Sequence, residues 1–140
     1  MIIADTGFWV ALANRCDAHH GAAVAALESV SESLITTWPV LTETCRLLLA
    51  RLGPDAQERF LAGIAKGASQ VFQLEPSHLP RIKKLMRKYR ELPMDLADAS
   101  LVVVAERLGV RRVLTLDRRR FDTYRVRRGH RHLPFRVVRC

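Results

Sequence analysis

Short apolar runs alternate with longer stretches of helical periodicity along the chain. The apolar runs predict five strands, at residues 2–4, 33–37, 70–74, 113–116 and 135–138. The helical stretches between them predict helices at residues 8–13, 19–30, 40–52, 55–66, 77–90 and 95–108. Strands separated by helices of this length need crossover connections. The pattern therefore predicts an α/β three-layer sandwich, with a mainly parallel central sheet of about five strands flanked by helices.

One stretch, residues 118–132, shows no clear period. It is rich in arginine and predicts a loop that holds a short helical turn around Phe121. No internal repeat, low-complexity segment or linker interrupts the chain. Its 140 residues therefore predict a single domain, 1–140.

The composition is that of a globular protein, with 49% hydrophobic and 26% charged residues. Cys16, Cys45 and Cys140 form no CxxC pair, which predicts free thiols in a reducing compartment and no structural zinc site. The sequence shows neither a basic leader nor an apolar run near the roughly 18 residues of a membrane span. We therefore expect a cytoplasmic protein without membrane association.

The net charge of +9 lies entirely between Arg111 and Cys140, where eleven arginines face two aspartates. Arginine forks match phosphate geometry, so this asymmetry favours an anionic partner, most simply nucleic acid. The alternative is a solvated basic surface that aids solubility. The candidate RNA contacts are Arg118, Arg119, Arg120, Arg127 and Arg128.

Acidic residues recur where predicted strands end and predicted helices begin. Asp5 follows the first strand, Asp117 follows the fourth, and Glu43 lies early in the helix after the second. Asp95 is a good N-cap for the helix that leads into the fourth strand, with Asp98 in its first turn. Because ligands bind beyond the carboxyl ends of parallel strands, we expect these acids to converge on one edge of the sheet.

A carboxylate cluster of this kind repels itself unless a proton or a cation intervenes. Oxygen ligands without histidine or cysteine suit Mg²⁺ or Mn²⁺, whose chemistry serves phosphodiester cleavage. For each acid alone, a helix cap or a helix-dipole partner is the alternative role. The alternative function is a catalytically silent module that binds RNA or a partner on the same fold. A dinucleotide enzyme is disfavoured, since no glycine-rich loop follows the first strand.

Four short motifs carry the acids in order along nearly the whole chain. They are Ile3-Ala4-Asp5-Thr6-Gly7, Thr42-Glu43, Leu96-Ala97-Asp98-Ala99 and Leu114-Thr115-Leu116-Asp117-Arg118-Arg119-Arg120-Phe121. This ordered set resembles the PIN-domain ribonucleases, and specifically the VapC toxins of bacterial type II toxin–antitoxin systems. No single motif is specific, but the ordered set is.

The resemblance implies a metal-dependent endoribonuclease, the toxin of a toxin–antitoxin pair, that hydrolyses RNA with water activated by Mg²⁺ or Mn²⁺. It implies that Thr6 and Thr115 supply hydroxyls to this water or to a ligand carboxylate, and that Asp95 holds a position that is often, but not always, acidic. It also implies a homodimer inhibited by a cognate VapB-like antitoxin. The metal ligands implied by the resemblance are Asp5, Glu43, Asp98 and Asp117.

Overall fold

A parallel five-stranded sheet lies at the centre of the structure, a computed structural model that describes residues 1–138. The sheet order is β3-β2-β1-β4-β7, and every neighbouring pair is parallel, while β5 and β6 form a separate antiparallel hairpin. The predicted sheet and three-layer sandwich are confirmed. In chain order the strands are β1 (Ile2–Ala4), β2 (Leu34–Thr37), β3 (Gln70–Phe72), β4 (Arg112–Leu114), β5 (Arg125–Arg128), β6 (Arg131–Pro134) and β7 (Arg136–Val138).

Helices flank the sheet and bury its apolar side chains. The central strand β1 is buried at every position, as expected for a parallel strand covered on both faces. The described α-helices are α1 (Thr6–Ala13), α2 (His20–Glu28), α3 (Trp38–Leu52), α4 (Pro54–Gly63), α5 (Leu79–Lys88), α6 (Leu96–Leu108) and α7 (Arg118–Thr123). The longest buried stretch lies in α6, from Ala99 to Ala105, because this helix is apolar on nearly all sides.

Helix boundaries differ from the predicted ones where a cap or a tight turn intervenes. The helix predicted from Phe8 begins at Thr6, because Asp5 caps it by accepting a hydrogen bond from the Phe8 N–H at 3.0 Å. The helix predicted over residues 77–90, with Ser77 as its expected N-cap, begins only at Leu79, since a 3₁₀ turn occupies Pro76–His78. The helix predicted to residue 66 changes from α to π geometry after Gly63, and its predicted end is confirmed by Gly67, whose φ of 101° is not helical.

The largest correction falls on residues 118–132, which were predicted to be a loop. The short helical turn around Phe121 is confirmed as α7, but residues 125–134 form the β5–β6 hairpin. Aromatic packing orders this segment, because the buried Phe121 ring meets Tyr124 and Phe135 edge-to-face at centroid distances of 5.4 and 5.2 Å.

The last strand and two of the three cysteines lie within the described residues. The last strand begins at Arg136, one residue later than predicted, and pairs with β4. Cys16 and Cys45 are free thiols, whereas Cys140 lies outside the described residues. Within residues 1–138, no helix has the length and hydropathy that a membrane crossing requires.

Candidate active site

Asp5 is the most buried acid of the site, with 5% of its surface exposed. It follows β1 directly, caps α1, and accepts a second, short hydrogen bond from the Thr115 hydroxyl at the end of β4. Burial raises the pKa of Asp5 to about 7, and the nearby charges of Asp98 and Asp117 add to this rise. The hydrogen bonds from Thr115 and Phe8 act in the opposite direction but are outweighed. Near neutral pH this carboxylate therefore needs a proton or a cation.

Asp98 lies in the first turn of α6, with its side chain 16% exposed. Its carboxylate accepts a 2.7 Å hydrogen bond from the Tyr124 hydroxyl and lies 3.6 Å from Nη1 of Arg120. Burial raises the pKa of Asp98 to about 6, against the hydrogen bond from Tyr124. Asp95, an exposed residue, is the N-cap of α6 as predicted and accepts from the Asp98 N–H at 2.8 Å. Its charge also raises the pKa of Asp98.

Asp117 lies in the same cleft, shortly after the end of β4. Its own N–H donates to the Thr115 hydroxyl at 2.9 Å, so Thr115 bridges Asp5 and Asp117. Asp117 caps α7, and its other carboxylate oxygen lies 3.0 Å from Nε of Arg120. Arg120 also donates to the carbonyl of Pro93 at 2.8 Å, which holds its guanidinium between the acids.

Glu43 lies on the α3 side of the cleft, apart from the other acids. Its partly exposed carboxylate pairs with Arg46 at 2.6 Å, and this hydrogen bond lowers its pKa. Together these side chains line a cleft of about 460 Å³. The residues around it are Asp5, Thr6, Gly7, Glu43, Leu47, Asp95, Asp98, Leu116, Asp117 and Arg120.

Two features of this cleft escaped prediction from the sequence. Arg120 was predicted to be an RNA contact but pairs with Asp98 and Asp117 inside the cleft. The hydrogen bond of Tyr124 to Asp98 was not predicted, because it depends on the fold bringing the residue after α7 next to the first turn of α6. The other predicted RNA-contact arginines, at positions 118, 119, 127 and 128, are exposed on α7 and β5.

The donors of this cleft fit a hard divalent cation in type and charge, since they are carboxylate and hydroxyl oxygens around a buried acid. Within residues 1–138, however, no three acidic, histidine or cysteine side chains lie close enough together to share an ion. Three of the carboxylates already have partners, since Arg120 pairs with Asp98 and Asp117, and Arg46 pairs with Glu43. A cation must therefore compete with these partners.

Comparison with known proteins assigns the chain that carries this cleft to a family. Residues 2–126 match the family model of the PIN domain, a segment that contains every acid of the cleft. The chain belongs to the PIN-domain family. The predicted resemblance to VapC-type PIN domains is likewise confirmed by the similar proteins that follow.

The PIN-domain chain is 30% identical to ribonuclease VapC26 of Mycobacterium tuberculosis over 124 residues, which cover 89% of this chain and 92% of that protein. It is 40% identical over 75 residues to the 23S rRNA-specific endonuclease VapC20 of the same species, covering 54% of this chain and 55% of that protein. A crystal structure of VapC20, described as a sarcin-ricin loop cleaving toxin, matches with a TM-score of 0.75 and 27% identity. That match covers 81% of this chain and 87% of the other.

Proposed function

We propose that this PIN-domain protein is a divalent-cation-dependent endoribonuclease and the toxin of a toxin–antitoxin pair. The observation that carries the proposal is the buried Asp5, whose pKa of about 7 is raised by burial and by the charges of Asp98 and Asp117. Carboxylates that repel one another in a cleft would destabilise a purely structural site and would repel an anion. They therefore favour a site for a cation. Similarity to a ribonuclease and to an rRNA endonuclease supports RNA as the substrate.

In this proposal the acids and the hydroxyl residues of the cleft have defined tasks. Mg²⁺ or Mn²⁺ would supply water activation and charge stabilisation at the phosphate. Thr115 orients the Asp5 carboxylate through its hydroxyl and fixes the backbone of Asp117. Thr6 lines the cleft as a second hydroxyl for a ligand carboxylate or for water, and Asp95 adds charge at its rim. The residues that would hold the cation are Asp5, Glu43, Asp98 and Asp117.

The arginines at the rim of the cleft would draw in the RNA backbone. Arg118 and Arg119 are exposed directly after Asp117, where they add positive potential beside the acids. By family resemblance we also propose a homodimer that acts in the cytoplasm and is held inactive by a cognate VapB-like antitoxin.

One observation favours a second function, a catalytically silent RNA-binding or partner-binding module. Arg120 already neutralises Asp98 and Asp117, so part of the repulsion in the cleft is relieved without a cation. Arg120 is, however, only one cation beside two carboxylates. Within residues 1–138, no ion pair gives Asp5 a cationic partner. The nuclease needs the acids to hold the cation, whereas the silent module does not need them. Substitution of an acid therefore distinguishes the two functions.

The test incubates purified protein with total bacterial RNA in Mg²⁺ or Mn²⁺ and in chelator. The native protein is compared with Asp98→Asn and with Asp55→Asn, an exposed first-turn aspartate of α4 that serves as the matched control. Circular dichroism verifies that all three are folded. Discrete cuts in metal by the native and control proteins, but not by Asp98→Asn, are expected. RNA binding by all three without any cut would support the silent module instead.

A further inference from the structure

The β5–β6 hairpin, residues 125–134, is a basic element at the limit of the PIN domain. The family match ends at residue 126, so most of this arginine hairpin lies beyond it. The hairpin contains four arginines and two histidines and no acidic residue. A strand pair with this charge and no acid of its own favours an anionic ligand.

Pairing across the arginine hairpin places like charges opposite each other. Arg128 faces Arg131, and both residues are exposed. Like charges directly opposite each other destabilise an antiparallel pair. Within residues 1–138, no carboxylate forms an ion pair with Arg128 or Arg131. The repulsion is therefore uncompensated within this part of the protein, and a bound polyanion would relieve it.

Contacts with α6 fix the position of the arginine hairpin. Val126 is buried in the core, and the Arg127 N–H donates to Glu106 at 2.7 Å. Glu106 is held in turn by a bidentate pair with Arg81, both distances being 2.8 Å. Burial acts to raise the pKa of Glu106, but the bonds from Arg81 and Arg127 lower it overall, so the carboxylate stays ionised. This anchor makes the hairpin a preorganised surface.

A recess of about 300 Å³ opens beside this anchor and extends the basic surface. Its three arginines come from separate segments: Arg81 from α5, Arg107 from α6 and Arg127 from β5. Glu106 balances one of these charges, which leaves two positive charges facing the recess. Because the three segments are distant in sequence, only the fold brings this cationic recess together.

The recess and the acidic cleft both adjoin α6, at different points along the helix. Tyr124 contacts α6 at Asp98, and Arg127 contacts the same helix at Glu106. Eight residues separate these contacts, which is about 12 Å along a helix at 1.5 Å per residue. That length corresponds to roughly three or four stacked nucleotides at about 3.4 Å each.

We propose that the arginine hairpin and the adjoining recess bind the phosphate backbone of an RNA strand, a few nucleotides to one side of the scissile bond in the cleft. The inference rests on the proposed function for the identity of the ligand as RNA. Charge complementarity favours RNA over a protein partner, since guanidinium groups spaced along a strand match successive phosphates. The surface would thus set which strand segment enters the cleft.

The test measures binding of a single-stranded RNA of about 20 nucleotides in chelator, by fluorescence anisotropy at a series of salt concentrations. The variant Arg128→Gln with Arg131→Gln is compared with a control of equal charge, Arg15→Gln with Arg51→Gln, whose positions are also exposed. Each lost phosphate contact lowers the salt slope by about 0.7, so the hairpin variant should lose about 1.4. Between about 50 and 200 mM salt, the native protein then loses about sevenfold more affinity than the hairpin variant.

The control variant should keep the native salt slope, because net charge alone does not make a site. Equal slopes for native, hairpin and control proteins would overturn the proposal, as would equal losses in both variants. A native dimer that dissociates in the hairpin variant, with RNA binding unchanged, would overturn it in favour of a protein interface. Since binding is read in chelator, loss of binding in the hairpin variant supports this surface even if the protein never cuts RNA.

Discussion

Replacement of Asp5 by asparagine tests whether the cleft carries uncompensated buried charge. Asparagine keeps the shape of the side chain and is a good N-cap, so the hydrogen bond from the Phe8 N–H is retained. What disappears is the charge, which burial and the neighbouring carboxylates make costly. In chelator at pH 8, the Asp5→Asn protein should therefore be more stable than the native protein.

The size of the effect follows from the pKa. Folding raises the pKa of Asp5 from 3.8 to about 7, a shift of roughly three units at about 1.36 kcal/mol each, or about 4 kcal/mol. Because the folded pKa is the higher one, this stability is present below pH 3.8 and is lost as the pH rises through 7. The amide disturbs the Thr115 hydroxyl bond, which offsets about 1 kcal/mol. We expect a net gain of about 3 kcal/mol at pH 8 and a net loss of about 1 kcal/mol at pH 4, where only the disturbed hydrogen bond counts.

Urea unfolding at pH 4, 6 and 8, with and without Mg²⁺, measures this difference. The exposed Asp55→Asn variant serves as the control and should lose no more than about 1 kcal/mol at any pH, since it removes only a first-turn partner of the helix dipole. Mg²⁺ at 100 times its dissociation constant should stabilise the native protein by about 2.7 kcal/mol and Asp5→Asn much less. A variant that is no more stable than the native protein at pH 8 would refute the argument from buried charge.

Two further substitutions probe the partners of the acids. Tyr124→Phe removes the hydrogen bond to Asp98, a carboxylate that ionises near pH 6. Urea unfolding should therefore show a loss of stability of about 1 kcal/mol at pH 5 and about 2 kcal/mol at pH 8. An equal loss at both pH values would contradict the assignment. Arg120→Gln removes a cation that competes for Asp98 and Asp117, so calorimetric titration should show Mg²⁺ binding about fivefold more tightly, corresponding to about 1 kcal/mol for a partly exposed ion pair. Unchanged or weaker Mg²⁺ binding would mean that Arg120 does not oppose the ion.

Sheet geometry explains why so much of the cleft was predictable. Asp5 and Asp117 each follow a strand, and β1 and β4 are parallel neighbours, so the carboxyl ends of these strands bring both acids to one edge. Asp95 carried a second local signal, the N-cap preference, and the structure places it in that role. These features depend on local sequence and on one general property of parallel sheets.

The features that escaped prediction depend on tertiary contacts. In the β5–β6 hairpin, Val126 and Leu133 form an apolar cross-strand pair, but each strand is too short and too rich in basic residues to show the period of two. Tyr124 and Arg120 reach the acids only because the fold brings α7 and the residue after it next to Asp98 in the first turn of α6. No spacing in the sequence encodes that proximity, and the same limit applies to the recess formed by Arg81, Arg107 and Arg127.

The most direct test of the nuclease proposal is the chemistry of the RNA ends. Hydrolysis by water leaves a phosphate monoester on one fragment and a hydroxyl on the other, whereas attack by the ribose 2′-hydroxyl leaves a 2′,3′-cyclic phosphate. Mass spectrometry of the fragments separates these outcomes. We predict monoester and hydroxyl ends, formed in Mg²⁺ or Mn²⁺ and absent in chelator. Cyclic phosphate ends, or equal cleavage in chelator, would contradict a cation-dependent hydrolysis at this cleft.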